Sequence, residues 1–223
     1  PFFIINTVKD IKSIKSNILK NKTIVLAVTG SIAAVETIKI SRELIRHGAK
    51  IIPVMTRSAT KIIHPDSIWF ATGQKPIIEL TGETEHVSFL GKVKNPADLF
   101  LICPSTANTI SKIAHGIDDT TITTFATTAI GSKIPIIIVP AMHLSMYSHN
   151  IIKENIKKLK ENKINFIEPN IEKNKAKLPS QEKIIANVFK ILSKNDYEGK
   201  KVLIIGGPTA EYIDDIRIIK NLS

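Results

Sequence analysis

The chain has 223 residues, 43% of them hydrophobic, which is enough for one large domain with a full core or for one domain and part of another. Its single cysteine excludes an intrachain disulfide framework and a zinc cage, so no metal site is expected and stability must come from packing. The net charge of +11 could attract anions, but the lysines recur at helical spacing in 9–22 and 153–163, as solvated helix faces do. Three Tyr and one Trp make no basic-aromatic stripe, so no nucleic-acid partner is expected. No apolar run reaches the roughly 18 residues of a membrane span, and no signal-like segment precedes the first helix. A cytoplasmic protein without membrane contact is expected, and the start at Pro1 rather than Met reads as a processed or trimmed chain.

Ile4, Val8, Ile11, Ile14 and Ile18 keep a helical period, which predicts an amphipathic N-terminal helix over 5–20, within a leading segment 1–21. TIVLAV (23–28) reads as a buried strand, followed by a helix from Ser31 to about His47 that Gly48 stops. A second strand is expected at 49–56, a helical turn at 58–63 and a short helix at 65–72 with proline in its first turn. DLFLIC (98–103) is a third strand with a helix over 106–114 behind it. IPIIIVP (134–140) is a fourth, followed by one long helix across 144–162. Strands alternating with helices across short links predict a parallel α/β sheet covered on both faces.

Ligands of such sheets bind where strands end. Gly30 lets the backbone turn at the end of the first strand, and Ser31, Ile32 and Ala33 then offer amides at a helix start, a geometry that suits phosphate. GSIAA lacks both the three-glycine dinucleotide pattern and the Walker lysine, so by itself it reads equally as a tight turn. PSTANT adds Ser105, Thr106, Asn108 and Thr109 at the same sheet edge. Helix capping accounts for one such side chain, not four.

With His86–Val87, PSTANTISKIAHGIDD (104–119) and PAMHLSMY (140–147), the TGSIAA turn resembles the four signatures of the homo-oligomeric flavin-containing cysteine decarboxylases, in the family's order across about 22–195. The tail KVLIIGGPTAEYIDDIRIIKNLS (201–223) resembles the opening of a phosphopantothenate-cysteine ligase domain, with a strand, a GGPT turn, Glu211, Asp214, Arg217 and Asn221. Within the family the resemblance points to the phosphopantothenoylcysteine branch. It implies a flavodoxin-like doubly wound domain over 22–195 and the start of a ligase domain over 196–223, truncated here. The ligase half would use CTP and Mg2+. The implied cofactor of the first domain is FMN, its phosphate held by Gly30, Ser31, Ile32 and Ala33 and by Thr56 or Ser58. Its ring would lie against Pro104, Ser105, Thr106, Ala107, Asn108 and Ala141, between subunits of a homotrimer or an assembly of trimers. The implied reaction is decarboxylation of 4'-phosphopantothenoylcysteine to 4'-phosphopantetheine. A flavin is needed because cysteine's carboxylate has no adjacent electron sink until the CH2-SH group is oxidised. His86 corresponds to the family's catalytic histidine. Met146, Asn108 and His143 fall at substrate positions, and Cys103 is expected to be a small buried thiol.

Two departures from the family pattern stand out. His143 replaces the asparagine of PAMN that grips the substrate carboxylate, keeping a donor. The stretch 169–180, PNIEKNKAKLPS, lacks the family's clamp cysteine. Either another acid, Lys175, Lys177 or a water, supplies the closing proton, the reading the ligase-like tail favours, or reaction stops at an enethiol as in the family's peptide-cysteine branch. The two lysines read equally as binders of the substrate phosphate and as part of a solvated loop. A flavin prenyltransferase of the same fold and a non-catalytic regulatory flavoprotein stay open as rival readings.

Overall fold

The computed structural model describes residues 8–193, 199–204 and 206–221. The chain divides at Ser193/Lys194 into two compact units. The larger is built on a five-stranded sheet of order β2-β1-β3-β4-β6, every pair parallel. Its strands are β1 (Thr23–Val28), β2 (Lys50–Met55), β3 (Leu99–Ser105), β4 (Ile136–Pro140) and the short β6 (Asn165–Phe166).

The central strands are near-continuous apolar runs, with polar residues only at their ends (Thr23, Lys50 and Ser105), because both faces are covered. Val25, Ala27, Ile52, Val54, Phe100, Ile102, Ile136 and Ile138 pack on one side against α5 (Ala107–His115), α6 (Thr121–Ser132) and α8 (Asn150–Glu161). Their alternates Ile24, Leu26, Ile51, Leu101, Ile137 and Val139 pack on the other against α1 (Thr37–Arg46) and α9 (Gln181–Leu192). Each buried Ile or Leu contributes about 1.5–3 kcal/mol through removal from water. This sheet with two helical layers is the expected doubly wound architecture.

Three expected helices differ. Residues 5–7 of the predicted 5–20 helix lie outside the described residues, and the remainder is helical only at 8–11. Ser13 then turns at φ 62, and the amides of Ser13, Lys15, Ser16 and Leu19 donate to the carbonyls of Ile45, Arg46 and His47. The segment caps the open end of α1 instead of forming its own ladder, and the supposed apolar stripe is broken, with Ile14 68% exposed. The helix expected from Ser31 begins as a 3-10 turn, Ile32–Glu36. The helix expected over 144–162 is two, α7 (Leu144–Tyr147) and α8, because His149 is extended (ψ 131) and its ring accepts the Ile151 amide as a new N-cap.

α2 (Arg57–Thr60) and α3 (Pro65–Thr72) stand where expected, whereas α4 (Glu85–Leu90), α6 and α9 were not anticipated. Nor was a small antiparallel sheet of order β5-β8-β7, formed by β5 (Met142–His143), β7 (Asn170–Glu172) and β8 (Lys175–Lys177). No helix among the described residues is long and apolar enough to cross a membrane.

The second unit contains a hairpin of β9 (Ala210–Tyr212) and β10 (Ile218–Lys220). Asp214 closes its turn by accepting the amides of Ile216 and Arg217, and the Arg217 guanidinium beside it lowers its pKa. The described residues 201–204 carry no strand, unlike the expectation for this segment.

Candidate functional site

The carboxyl ends of β1, β3 and β4 are stitched together by their own sequence. Thr29 donates from its amide (3.3 Å) and its hydroxyl (2.9 Å) to the Pro104 carbonyl, and the same hydroxyl accepts the Thr106 amide at 3.1 Å. The Ala141 amide donates to the Ser105 carbonyl (3.0 Å), and the Ser31 hydroxyl donates to the Ala141 carbonyl (3.0 Å). Buried backbone groups at the strand ends are thereby satisfied, and the Gly30–Ser31 turn is held against β3 and β4. Gly30 is needed for proximity: a Cβ there would stand 2.6 Å from the Ser58 Cβ.

Two cavities open on either side of this turn. The first, of about 760 Å³, is lined by Gly30, Thr56, Ser58, Thr106, Asn108 and Met146 among the expected residues. Arg57, Thr120, Thr121 and Thr124 also line it and were not anticipated from sequence, as do Lys112, Asp118 and Asp119 of the PSTANTISKIAHGIDD signature, which carried no individual role there. The Thr120–Thr124 wall could have been read from Thr120 and Thr123, which form a capping box at the start of α6. The two cations at the rim are neutralised within the chain: Arg57 pairs with Glu79 at 2.6 Å and Lys112 with Asp119 at 2.7 Å.

The second cavity, of about 490 Å³, is lined by Ser31, Ile32, Ala33, Ala141, His143, Lys175 and Lys177 of the expected set, with Val35, Glu36, Met142, Ala176 and Leu178. The strands β5 and β8 of the flap sheet form its wall, with β7 paired behind β8. The two cavities are neighbours, since Gly30 lines one and Ser31 the next, while α7 contributes Met146 to the first and its N-cap His143 to the second.

Several expected phosphate-binding groups are already engaged. The Ser31 amide donates to the Thr29 carbonyl (2.8 Å), and the Ala33 amide to the Ser31 hydroxyl (3.4 Å). Thr56 Oγ1 caps α2 by accepting the Ala59 amide at 3.1 Å. In PSTANT, Thr106 caps α5 and its hydroxyl meets that of Thr109 at 3.2 Å, while Asn108 is exposed and lines the first cavity. Capping therefore accounts for one of the four polar side chains, Thr106, as expected, and Thr109 is held by the cap's own hydroxyl. Ser105 is fully buried and its hydroxyl has no partner among the described residues.

Pro104, Ser105, Ala107 and His86 line neither cavity. His86 lies in the first turn of α4 with its ring edge on Phe125 (centroids 6.4 Å apart), its Nδ1 buried without a partner among the described residues. Cys103 is buried in β3, and burial pushes its thiol pKa well up, which leaves it inert as the sequence suggests.

His143 Nδ1 accepts the Ser145 amide (3.3 Å) and lies 2.9 Å from the Ser145 hydroxyl. Because an amide can only donate, Nδ1 is the acceptor nitrogen, and the ring keeps its hydrogen on Nε2. His143 thus presents an N–H, as the amide of an asparagine does.

A family model described as Flavoprotein matches residues 12–193. The coenzyme A biosynthesis bifunctional protein CoaBC of Thermococcus kodakarensis is 56% identical over 216 residues, 97% of this chain and 53% of that protein. Its counterpart from Methanocaldococcus jannaschii is 45% identical over 99% of this chain and 53% of its own length. The chain spans about half the length of the curated relatives it matches. Among solved structures, the FMN-dependent cysteine decarboxylase SpaF superposes with a TM-score of 0.67 at 28% identity, over 77% of this chain and 97% of its own. The peptidyl-cysteine decarboxylase EpiD gives 0.66 at 25% identity, over 75% and 98%. With the parallel sheet, the strand-end cavities and a family match running from residue 12 to residue 193, the chain belongs to the flavoprotein family.

Proposed function

We propose that the larger unit is an FMN-dependent decarboxylase that converts 4'-phosphopantothenoylcysteine to 4'-phosphopantetheine in coenzyme A biosynthesis. The observation that carries this reading is the pair of adjoining cavities, one rich in hydroxyls and one carrying a donor histidine and two lysines, in a chain so similar to CoaBC proteins.

The residues present fit FMN. The first cavity has the volume of a cofactor site. Gly30 allows backbone approach where a Cβ would collide, and the hydroxyls of Thr56, Ser58 and Thr106 stand at its wall. These residues would hold the phosphate, with Arg57 and Lys112 at the rim, and Asn108 and Met146, which line the same cavity, would contact the ring. Bound FMN supplies reversible two-electron oxidation of the substrate's CH2-SH group, which places an electron sink next to the departing carboxylate. His143 orients that carboxylate through Nε2–H, and its Nδ1 bonds to Ser145 fix the ring's direction. Ile32, Val35 and Leu178 line the second cavity with apolar surface and limit water beside the carboxylate.

His86 serves as the proton acceptor of the oxidative step. It works across a subunit boundary in a homotrimer or larger assembly, with flavin between subunits. The unit from Lys194 onward is the start of a CTP- and Mg2+-dependent ligase domain that supplies the substrate, and the protein works in the cytoplasm.

Anaerobic incubation with phosphopantothenoylcysteine, following flavin absorbance and product mass together, tests the reading. Loss of carbon dioxide alone, with flavin returned to the oxidised state, is expected. A product lighter by two further hydrogens, with flavin left reduced, would mean that the reductive half is missing. A second reading, a non-catalytic regulatory flavoprotein, is favoured by one observation: the flap holds no cysteine and Cys103 is buried in the core. FMN retention without any turnover would establish it.

A further inference from the structure

The flap arranges its charged side chains in cross-strand rows. His143 pairs with Lys175 and Lys175 with Glu172, while Lys177 pairs with Asn170. Directly opposed residues share one face of a sheet with Cβ atoms about 4.5–5.5 Å apart, and residues two apart on a strand share it too. His143, Lys175, Lys177 and Glu172 therefore lie on one face, and Met142 and Ala176 on the other.

The two lysines are not equivalent. Lys177 Nζ is bound to the Glu172 carboxylate at 2.7 Å, even though Glu172 stands opposite Lys175 in the register. Lys175 has no acceptor among the described residues. Both line the second cavity with His143, and the carboxylate that also lines it, Glu36, is paired with Lys39 at 3.1 Å. The cavity thus holds one ammonium without an acceptor among the described residues beside a ring that carries its hydrogen on Nε2, against apolar walls.

We propose that Lys175 is the oxyanion-binding residue of this cavity and that the Lys177–Glu172 pair keeps it free by drawing Glu172 away. Lys175 supplies charge, and His143 Nε2–H supplies direction, to an oxyanion of the entering molecule. The inference rests on the substrate reading above, in which the substrate carries two such groups, the departing carboxylate and the phosphate. It makes the effect of Lys177 indirect: removing Lys177 releases Glu172 to the lysine directly opposite it.

Calorimetric binding of four unreactive ligands to the FMN-loaded protein separates the possibilities: pantothenoylserine (carboxylate only), phosphopantetheine (phosphate only), phosphopantothenoylserine (both) and pantetheine (neither). Lys175→Met is expected to weaken binding about ten-fold or more for the ligands bearing the group it holds, a hydrogen bond to a charged group being worth at least that. Losses confined to the two carboxylates identify the carboxylate, and losses confined to the two phosphates identify the phosphate. Pantetheine is unmoved in both cases. Lys175→Arg restores most of the affinity, and Lys173→Met, a charge removed from the same flap, changes nothing. Lys177→Met weakens the same ligands, and adding Glu172→Gln to it recovers them. Affinity unmoved by Lys175→Met, or a Lys177→Met/Glu172→Gln double variant as weak as Lys177→Met, overturns the proposal. A wild-type protein that binds none of the four removes the substrate reading itself.

Discussion

Gly30 and Ser31 are neighbours in sequence but line different cavities, and the walls behind them differ in kind. Behind Gly30 stand the ends of the parallel strands β1 and β3, fully buried and stitched through Thr29, Pro104 and Thr106. Facing Ser31 stands a flap of two- and three-residue strands in which Ala176 is buried but Ile171 is 54% exposed. The first cavity can change shape only if the core moves. The second rests on a handful of ladder bonds and one turn, so it can open locally at far lower cost. A cofactor that stays bound suits the first wall, and a substrate that must enter and leave suits the second.

Truncating the core beneath the first cavity should give the largest effect. Phe125 is fully buried and packs against Phe100 and the His86 ring. Phe125→Ala is expected to cost about 3–5 kcal/mol, visible as a lower denaturant midpoint for the whole larger unit. Flap amides should exchange as before when measured well below that midpoint; if they accelerate in step, the two walls are one cooperative unit and the contrast drawn here fails.

Gly30→Ala comes next. The added methyl meets Ser58 at 2.6 Å, and relief of such overpacking typically costs about 1–3 kcal/mol. Loss of retained flavin absorbance is expected, and Ser58→Gly in the same chain should return part of it. Flavin retention as in the wild type would show that α2 gives way freely and that the first wall is softer than its burial implies.

The same contrast decides what was legible beforehand. The strands β1 to β4 were plain because a strand buried on both faces is an uninterrupted apolar run, and the residues at their ends follow at once. The flap was not legible. NIEKNKAK is short, polar and charged, and it pairs because β5 offers an edge and Lys173 and Asn174 both take positive φ (42 and 60), neither of which is written in hydrophobic periodicity. α6 was missed because threonines, poor helix formers by propensity, dominate TITTFATTAIGS, yet Ile122, Phe125, Ala126 and Ala129 bury a stripe that overrides them. The N-terminal helix was over-read for the opposite reason, a periodic stripe of isoleucines whose backbone found better partners at the end of α1.

A smaller effect is expected at the flap's own turn. Asn174 is left-handed, a region Asn tolerates and alanine does not, and its carbonyl accepts the Leu144 amide at 3.0 Å. Asn174→Ala should cost about 1 kcal/mol, confined to the flap. Faster exchange at Leu144 and faster proteolysis at 170–177, with an unchanged global midpoint, would sharpen the comparison. A shifted midpoint would break it.

The smallest effect expected is one of pH at the flap's base. Glu168 accepts from the Tyr147 hydroxyl and pairs with Lys160 at 2.5 Å, joining α7 and α8 to the residue two positions before β7. Burial alone would raise its pKa, but the hydrogen bonds from Lys160 and Tyr147 together outweigh that and leave it below the ordinary 4.5. A carboxylate held low in the folded state contributes stability that is complete above its unfolded value and is lost as pH falls through the lowered folded value. Flap protection should therefore be flat above about pH 5 and decline below about 4.5. Because the Glu168 side chain is 53% exposed, the decline should be shallow and weaker still at high salt. Glu168→Gln should flatten the decline while leaving the first cavity's flavin retention untouched. A Gln variant with the full acid response would place the titrating group elsewhere and detach Glu168 from the flap.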